Sequence, residues 1–172
     1  MAPQDGKVKR ILDIGTSIGQ FASSMKRRFP EAEVWGLDIG GPMVRYAHMK
    51  AADNGIAVNF AQRLAEDTKF PDNYFDIVVS NLLFHEVNYT GAQAIIKEVG
   101  RVLRPGGVFS PTDDNKNPET VKGKYTLWYN YRWNHEDWYA DWHRIDFPGE
   151  FKKSGMKVVE VPNTPLIRGV KI

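Results

Sequence analysis

Segments typical of β-strands alternate along this chain with segments typical of α-helices, and few folds are compatible with that order. Runs rich in β-branched residues end near glycines, and stretches with apolar residues at helical spacing follow them. In residues 20–29, for example, Phe21, Met25 and Phe29 are spaced by four. Such alternation favours a parallel sheet with connecting helices. The seven predicted strands are residues 8–14, 33–38, 57–61, 75–81, a run that starts at 108–109, 156–161 and 166–172.

Helix signals separate most of these strands. Pro42 suits the first turn of a helix, and Asn54 and Gly55 mark its end. Apolar residues along one side of residues 91–103 indicate a further helix. We therefore predict an α/β, Rossmann-like, doubly wound fold with a mainly parallel seven-stranded sheet and helices on both faces.

Composition excludes several classes of protein. The 172 residues are 42% hydrophobic and 26% charged, as expected of one globular domain. The absence of cysteine excludes disulfides, thiolate zinc sites and cysteine nucleophiles, and it fits a reducing compartment. No apolar run approaches the roughly 18 residues that span a bilayer, and residues 1–10 lack the apolar centre of a secretory signal. We expect a cytoplasmic protein with no membrane partner. The net charge of +2 gives no support for nucleic-acid binding.

The turn at residues 15–19 is the first candidate binding site. A strand that ends in small residues and leads into a helix lets a ligand approach the backbone, and free N–H groups lie at the helix N-terminus. A nicotinamide or flavin fingerprint starting at Gly15 would need glycine at positions 17 and 20, where the chain has Ser17 and Gln20. The spacing therefore disfavours a dinucleotide.

Small residues at 15, 17 and 19, with Asp13 two positions earlier, resemble the first motif (E/D-x-G-x-G-x-G) of the class I S-adenosylmethionine-dependent methyltransferases. Asp38 follows at the end of the second strand, where nucleotide-binding α/β folds place an acid that accepts both ribose hydroxyls. Later segments are similar to small-molecule members of the ubiquinone-biosynthesis and sterol type, so the resemblance covers about residues 9–113. Those segments are Gly36–Ile39 with Pro42-Met43, 65–78, 84–87 and 98–107.

The resemblance implies S-adenosylmethionine as cofactor and S-adenosylhomocysteine as product. Two departures stand out: Leu64 occupies the position where an acid often meets the adenine, which leaves the Ala65 backbone or Glu66 to replace it, and only a short segment precedes the first strand. The expected cofactor-binding residues are Asp13, Gly15, Thr16, Ser17, Gly19, Asp38, Ile39, Met43, Ala65, Glu66, Asn81 and Leu82.

Several of these residues have simpler interpretations. Asp13 could cap the turn or the helix, and Asp38 could be an exposed turn residue. Glu66 could belong to a solvated loop, and Asn81 could cap the end of a strand. A non-catalytic subunit that binds S-adenosylmethionine or its product is the alternative to an enzyme.

Residues 125–142 contain four of the five tryptophans and several tyrosines. Asn134 is expected to cap a helix that begins at His135 and carries Trp138 and Trp142 on one face. In the resembling family an insertion at this place often forms the substrate lid, so we predict a cofactor-binding core at 9–113, an aromatic acceptor lid at 114–147 and a C-terminal helix with strands at 148–172. The acceptor would be a small, aromatic or apolar molecule. Packing on the sheet and a homodimer contact are the alternatives for these rings.

Methyl transfer from a sulfonium is an in-line displacement that depends mainly on positioning. A hydroxyl or phenol acceptor would also need a base, for which His85 is the first candidate and His135 and His143 are the others. No metal site is predicted, because Asp113 and its acidic neighbour suit a polar turn better. The segment after the fourth strand, residues 81–84, lacks the prolines of methyltransferases that act on DNA amino groups.

Overall fold

The structure is a computed structural model that describes residues 3, 6–113, 119–160 and 167–172. Its strands are β1 (Arg10–Ile14), β2 (Glu33–Asp38), β3 (Asn59–Gln62), β4 (Phe75–Asn81), β5 (Leu103–Thr112), β6 (Met156–Glu160) and β7 (Ile167–Lys171). Its helices are α1 (Gln20–Arg28), α2 (Gly41–Asp53), α3 (Tyr89–Val102), α4 (Val121–Trp133), α5 (Tyr139–Trp142) and α6 (Phe147–Lys153), with a 3₁₀ helix at Phe84–Glu86.

The described strands form one seven-stranded sheet in the order β3-β2-β1-β4-β5-β7-β6. Strands β1 to β5 pair in parallel, and β7 is antiparallel to both β5 and β6. The predicted fold class is therefore confirmed. Strands β2 and β3 lie on one side of β1, and β4 and β5 lie on the other, so the strand order reverses between β1 and β4. Open α/β sheets bind ligands at the carboxyl ends of the strands at such a switch point.

Alternation along the strands divides the core between the two faces of the sheet. Leu12 and Ile14 of β1 face the side covered by α3 and α6, where Phe84 and Phe151 are fully buried. Ile11 faces the opposite side, in a cluster with residues of α1. Both faces of the central strands are thus apolar, as expected of a parallel sheet covered on both sides.

Motif residues at 98–107 stabilise the fold. Glu98 accepts hydrogen bonds from the Thr68 backbone N–H (2.9 Å) and hydroxyl (2.6 Å), and Arg101 forms an ion pair with it at 2.7 Å. Asp76 pairs with Arg104 and also accepts from two backbone N–H groups at the start of β1. These bonds tie the β3–β4 connection to α3, and the start of β1 to β4.

The prediction of a helix that begins at His135 is wrong. Asn134 ends α4 instead, because its backbone N–H and its side-chain amide both donate to Asn130, at 3.1 and 2.9 Å. His135 has a left-handed φ of 56°, and α5 begins only at Tyr139. Helix α4 itself has no counterpart among the predicted elements.

Other helix and strand boundaries differ from the predicted ones by smaller amounts. Helix α3 begins at Tyr89, since the Asn88 side chain caps it by accepting from the Gly91 N–H at 2.7 Å. Strand β5 begins at Leu103, before the predicted start at 108. Residues 114–118 of the predicted insertion, and the predicted strand ends at 161 and 166, lie outside the described residues.

Candidate cofactor pocket at the strand ends

The loop after β1 is tightly wound. Gly15, Ser17 and Gly19 all have left-handed φ angles, of 68°, 49° and 76°. The Thr16 N–H donates to Leu37 O of β2 at 2.8 Å, which fixes the loop to the neighbouring strand. Serine at the left-handed position 17 costs about 1 kcal/mol relative to glycine, and the hydrogen bond of its N–H offsets that cost.

That hydrogen bond goes to Asp38. Asp38 Oδ2 accepts from the Ser17 N–H, and Oδ1 accepts from the Gly40 N–H, both at 2.8 Å. One carboxylate therefore joins the loop after β1 to the loop after β2. Each oxygen of a carboxylate can accept about two hydrogen bonds, so both oxygens keep a lone pair for a ligand.

Asp13 lies beneath the same loop. Its side chain is 1% exposed, and Oδ2 accepts from the Thr16 hydroxyl at 2.7 Å. Oδ1 accepts no hydrogen bond from any residue that the structure describes. Burial raises the pKa of Asp13 to about 7, and the Thr16 hydroxyl opposes that rise. A cation or a hydrogen-bond donor that reached Oδ1 would favour the charged form.

A pocket of about 260 Å³ lies beside these loops. An added Cβ at Gly15 would come within 2.8 Å of Leu83 Cδ1, so the Leu83 side chain packs directly on the Gly15 backbone beside the pocket. The lining residues are Gly15, Leu37, Asp38, Ile39, Arg63, Leu64, Ala65, Glu66, Leu83, Glu86, Val87 and Ile95.

The structure brings five of the predicted cofactor residues to this pocket: Gly15, Asp38, Ile39, Ala65 and Glu66. Thr16, Ser17 and Gly19 do not line it and instead form the loop beside it, and Asp13 lies beneath that loop in β1.

Three further predicted residues lie outside the pocket lining. Met43 is exposed in the first turn of α2. Asn81 ends β4, and Leu82 follows it with a left-handed φ of 57° and half of its side chain exposed.

Sequence reasoning missed several lining residues. Leu83, Glu86 and Val87 surround the 3₁₀ helix that follows β4, and their positions depend on how that helix folds back over Gly15. Arg63 directly follows β3, and Ile95 belongs to α3. Residues 84–87 follow a buried strand and belong to a segment that resembles the family, and this pattern favours His85 as the functional residue rather than its neighbours.

His85 packs away from the pocket lining and against Asp113. Nδ1 of His85 lies 2.7 Å from Asp113 Oδ1, and the Phe84 N–H donates to Asp113 Oδ2 at 2.9 Å. The hydrogen bond with Asp113 raises the pKa of His85, against the opposite effect of burial. Glu86 Oε1 lies 3.5 Å from His85 Nε2.

The structure brings only one of the other two histidines near His85. The Tyr139 ring packs between His85 and His143, with ring-centre distances of 6.0 and 5.6 Å. His135 is exposed at the end of α4. In the described ranges 6–113, 119–160 and 167–172, no three His, Asp or Glu side chains are grouped closely enough to hold a metal ion.

The strand order, the loop after β1 and the acid that ends β2 together define a class I methyltransferase-like architecture. The family model described as "Methyltransferase domain" matches residues 11–107. The chain belongs to this methyltransferase domain family, as the resemblance predicted.

The chain is similar to a demethylmenaquinone methyltransferase of Thermus thermophilus, with 40% identity over 99 residues that cover 58% of this chain and 44% of the relative. It is 34% identical over 120 residues to a ubiquinone/menaquinone biosynthesis C-methyltransferase of Burkholderia cenocepacia, covering 69% of this chain and 49% of that protein. The chain thus spans about half the length of these relatives. A SAM-dependent methyltransferase structure from Aquifex aeolicus shares the fold, with a TM-score of 0.66 at 20% identity over 95% of this chain and 82% of that one.

No described helix has the length and apolar character that crossing a membrane requires.

Proposed function

We propose that the chain binds S-adenosylmethionine across the carboxyl ends of β1 and β2 and transfers its methyl group to a small-molecule acceptor, leaving S-adenosylhomocysteine. The observation that carries this proposal is Asp38, which fixes both loops beside the pocket and keeps a lone pair on each oxygen. When bound, the cofactor supplies an electrophilic methyl carbon on a positively charged sulfur.

The residues present fit such a cofactor. Asp38 can accept hydrogen bonds from two ribose hydroxyls, and Gly15 lines the pocket without a side chain that would keep a ligand from its backbone. Asp13 has a buried oxygen without a described partner, which suits a donor or a cationic group. Each feature is independent of the others, and all three lie around one loop.

The apolar wall of the pocket suits the adenine ring. Ile39, Leu64 and Ala65 line it, and the Leu64 side chain is only partly buried. Because leucine replaces the acid that the resemblance leads one to expect, we assign recognition of the adenine edge to the Ala65 backbone or Glu66. We assign Thr16, Ser17 and Gly19 to positioning, and we place Met43, Asn81 and Leu82 at the rim.

We propose a small aromatic or apolar acceptor. The names of the Thermus and Burkholderia relatives place them in menaquinone and ubiquinone biosynthesis. In this chain, the aromatic helices lie near the 3₁₀ helix that lines the pocket, since α4 contacts α5 and α5 contacts residues 84–86. Positioning two bound reactants lowers the barrier by up to roughly 7–11 kcal/mol, so an apolar pocket can suffice for a nucleophilic acceptor.

His85 is the base that we propose for a hydroxyl or phenol acceptor. The bond to Asp113 holds a proton on Nδ1 of the neutral ring, so that Nε2 carries the lone pair that accepts a proton. His135 is exposed and makes no side-chain hydrogen bond, ion pair or ring contact with another described residue, and the Tyr139 ring packs between His143 and His85.

Calorimetry with S-adenosylmethionine and S-adenosylhomocysteine, followed by a labelled-methyl assay over phenols, quinols, amines and carboxylates, tests the function. Binding of both cofactors and transfer to an acceptor supports the proposal. Failure to bind either cofactor overturns it, and binding with no transfer to any acceptor replaces it with the non-catalytic binding subunit.

The His85→Ala variant tests the base. We expect turnover of a phenolic acceptor to fall about hundredfold, because general bases contribute about 10²–10⁴ to rate, while the dissociation constant of the cofactor stays unchanged. His48→Ala, which removes an exposed histidine of α2, is the matched control. Equal activity of the two variants would remove His85 from the mechanism.

A further inference from the structure

Helix α4 exposes an unusual set of side chains. Tyr125, Trp128, Tyr131 and Trp133 are between 52% and 60% exposed, although such rings normally bury most of their surface. The opposite side of the helix contacts the protein through buried Asn130. The aromatic side of α4 therefore faces outward.

Three neighbouring rings of α4 lie close together. The Tyr125 ring centre lies 5.8 Å from that of Trp128 and 6.1 Å from that of Tyr129. Because apolar surface gathered in this way marks interaction sites on proteins, this side of α4 is a candidate interaction surface.

The charge of the same helix narrows the choice of partner. Lys122, Lys124 and Arg132 lie among the aromatic residues, and residues 120–135 contain no Asp or Glu. The Arg132 guanidinium lies 5.2 Å from the Trp133 ring centre. A chain with a net charge of only +2 thus concentrates three positive charges on one helix.

From this juxtaposition of exposed tyrosine and tryptophan rings with Lys122, Lys124 and Arg132, we infer that α4 docks on the surface of an anionic lipid bilayer. The inference departs from the expectation of no membrane partner, which rests on the lack of a long apolar run and of a secretory signal in the sequence. Tyr and Trp favour the membrane–water interface, where the ring is apolar and its N–H or O–H stays hydrated. Lys and Arg are attracted to anionic headgroups. A helix that lies in the interface needs no membrane-spanning segment.

Charge disfavours a second copy of the chain as the occupant. In a two-fold dimer the same patch meets itself, so three positive charges would face three others. An anionic bilayer satisfies both the charges and the rings. The inference does not depend on the proposed methyl transfer, because lipid binding can be measured without cofactor or acceptor.

Sedimentation with vesicles tests the docking. The wild-type protein should sediment with vesicles that contain phosphatidylglycerol and remain in solution with phosphatidylcholine alone, and added salt should release it. Combined K122Q, K124Q and R132Q substitutions should weaken binding about fivefold for each charge removed. The control R27Q, R28Q and K50Q removes the same charge from α1 and α2 and should bind like the wild type.

A single-ring comparison tests the aromatic contribution. Trp128→Ser should weaken vesicle binding several-fold, whereas Tyr46→Ser, at an exposed tyrosine of α2, should not. Failure of the wild type to bind anionic vesicles would overturn the inference, as would equal losses in the α4 variants and their controls. Dimers on a sizing column that dissociate in Trp128→Ser, without vesicle binding, would replace the bilayer with a second copy. Unchanged far-ultraviolet circular dichroism shows that each variant is folded.

Discussion

The loops at the ends of β1 and β2 and helix α4 are built in opposite ways. Backbone N–H groups and carboxylates fix the loops: half-buried Asp38 holds Ser17 and Gly40, and buried Asp13 holds Thr16. Helix α4 presents most of its large side chains outward, and Trp128 and Tyr131 are more than half exposed. One region is shaped before any ligand arrives, whereas the other is a surface.

This difference separates two kinds of recognition. A site made by backbone geometry favours one ligand shape, because its donors and acceptors cannot adjust without breaking hydrogen bonds. A surface of tyrosine and tryptophan side chains tolerates different partners, since each ring adds contact area without fixing a backbone. Substitutions should therefore have large effects in the loops and small effects on the stability of the aromatic helices.

The largest expected effect is on stability as pH changes. Asp13 has a pKa of about 7 in the folded state and 3.8 as its ordinary value, so between these values the folded state holds a proton that the unfolded state has lost. The contribution of this proton to the free energy of unfolding is fully present below pH 3.8 and is lost as the pH rises through 7. Between pH 5 and pH 8 the wild type should lose about 2–3 kcal/mol relative to Asp13→Asn, which stays neutral.

Urea unfolding at the two pH values measures this difference. His85, whose pKa is also raised, loses stabilisation in the same direction, but it is present in both proteins and cancels in the comparison. Parallel pH dependences of the wild type and Asp13→Asn would show that Asp13 does not titrate in this range.

The next effect is on cofactor affinity. Asp38→Ala removes the ribose acceptors and both bonds between the loops, so the dissociation constant for S-adenosylhomocysteine should rise about thirtyfold, or about 2 kcal/mol. Asp53→Ala, at an exposed aspartate that ends α2, should bind normally by calorimetry. Unchanged affinity of Asp38→Ala would end the assignment of this pocket.

Gly15→Ala should weaken cofactor binding about tenfold. Alanine at position 15 would have to adopt a left-handed φ, and its Cβ would lie 2.8 Å from Leu83 Cδ1. Gly55→Ala is a matched control, since Gly55 has a φ of 64° and open space around it. Both variants should lose about 1–2 kcal/mol of stability from backbone strain, and only Gly15→Ala should also lose affinity.

Recovery of affinity in a Gly15→Ala, Leu83→Ala double variant would show that the contact with Leu83 causes the loss. Equal affinities of Gly15→Ala and the wild type would show that the cofactor does not approach this backbone.

The smallest effect belongs to the aromatic helix. Trp128→Ala should change the free energy of unfolding by less than about 0.5 kcal/mol, because the ring is half exposed and alanine favours a helix. Chemical denaturation checks this value. A loss above about 2 kcal/mol would mean that the ring packs on the protein after all, and the contrast between the two regions would fail.

The loop region was predictable from the sequence because its geometry is local. Small residues at 15 and 19 and acids at 13 and 38 occur at the spacings of a strand, a turn and a helix. The periodicity of the sequence and the motif therefore predict the same site. The same reasoning could not find Leu83 or Ile95, whose place at the pocket depends on contacts between distant segments.

Helix α4 escaped prediction for a different physical reason. A helix is recognised by an apolar stripe that faces the core, but the large side chains of α4 are mostly on the exposed side. Asn134 is chemically suited to either end of a helix, and the bonds to Asn130 decide that it ends α4. The outward side of α4 could not be predicted either, because the exposure of a side chain is a property of the folded chain.

The double attachment of Asp38 couples the conformations of the two loops. Ser17 and Gly40 lie on different segments, yet both orient toward the same carboxylate. A lengthened side chain at position 38, or a shift of either loop, would disturb the other loop at once. Redesign of this chain for an altered nucleotide would therefore succeed by exchanging both loops together with residue 38 as one unit.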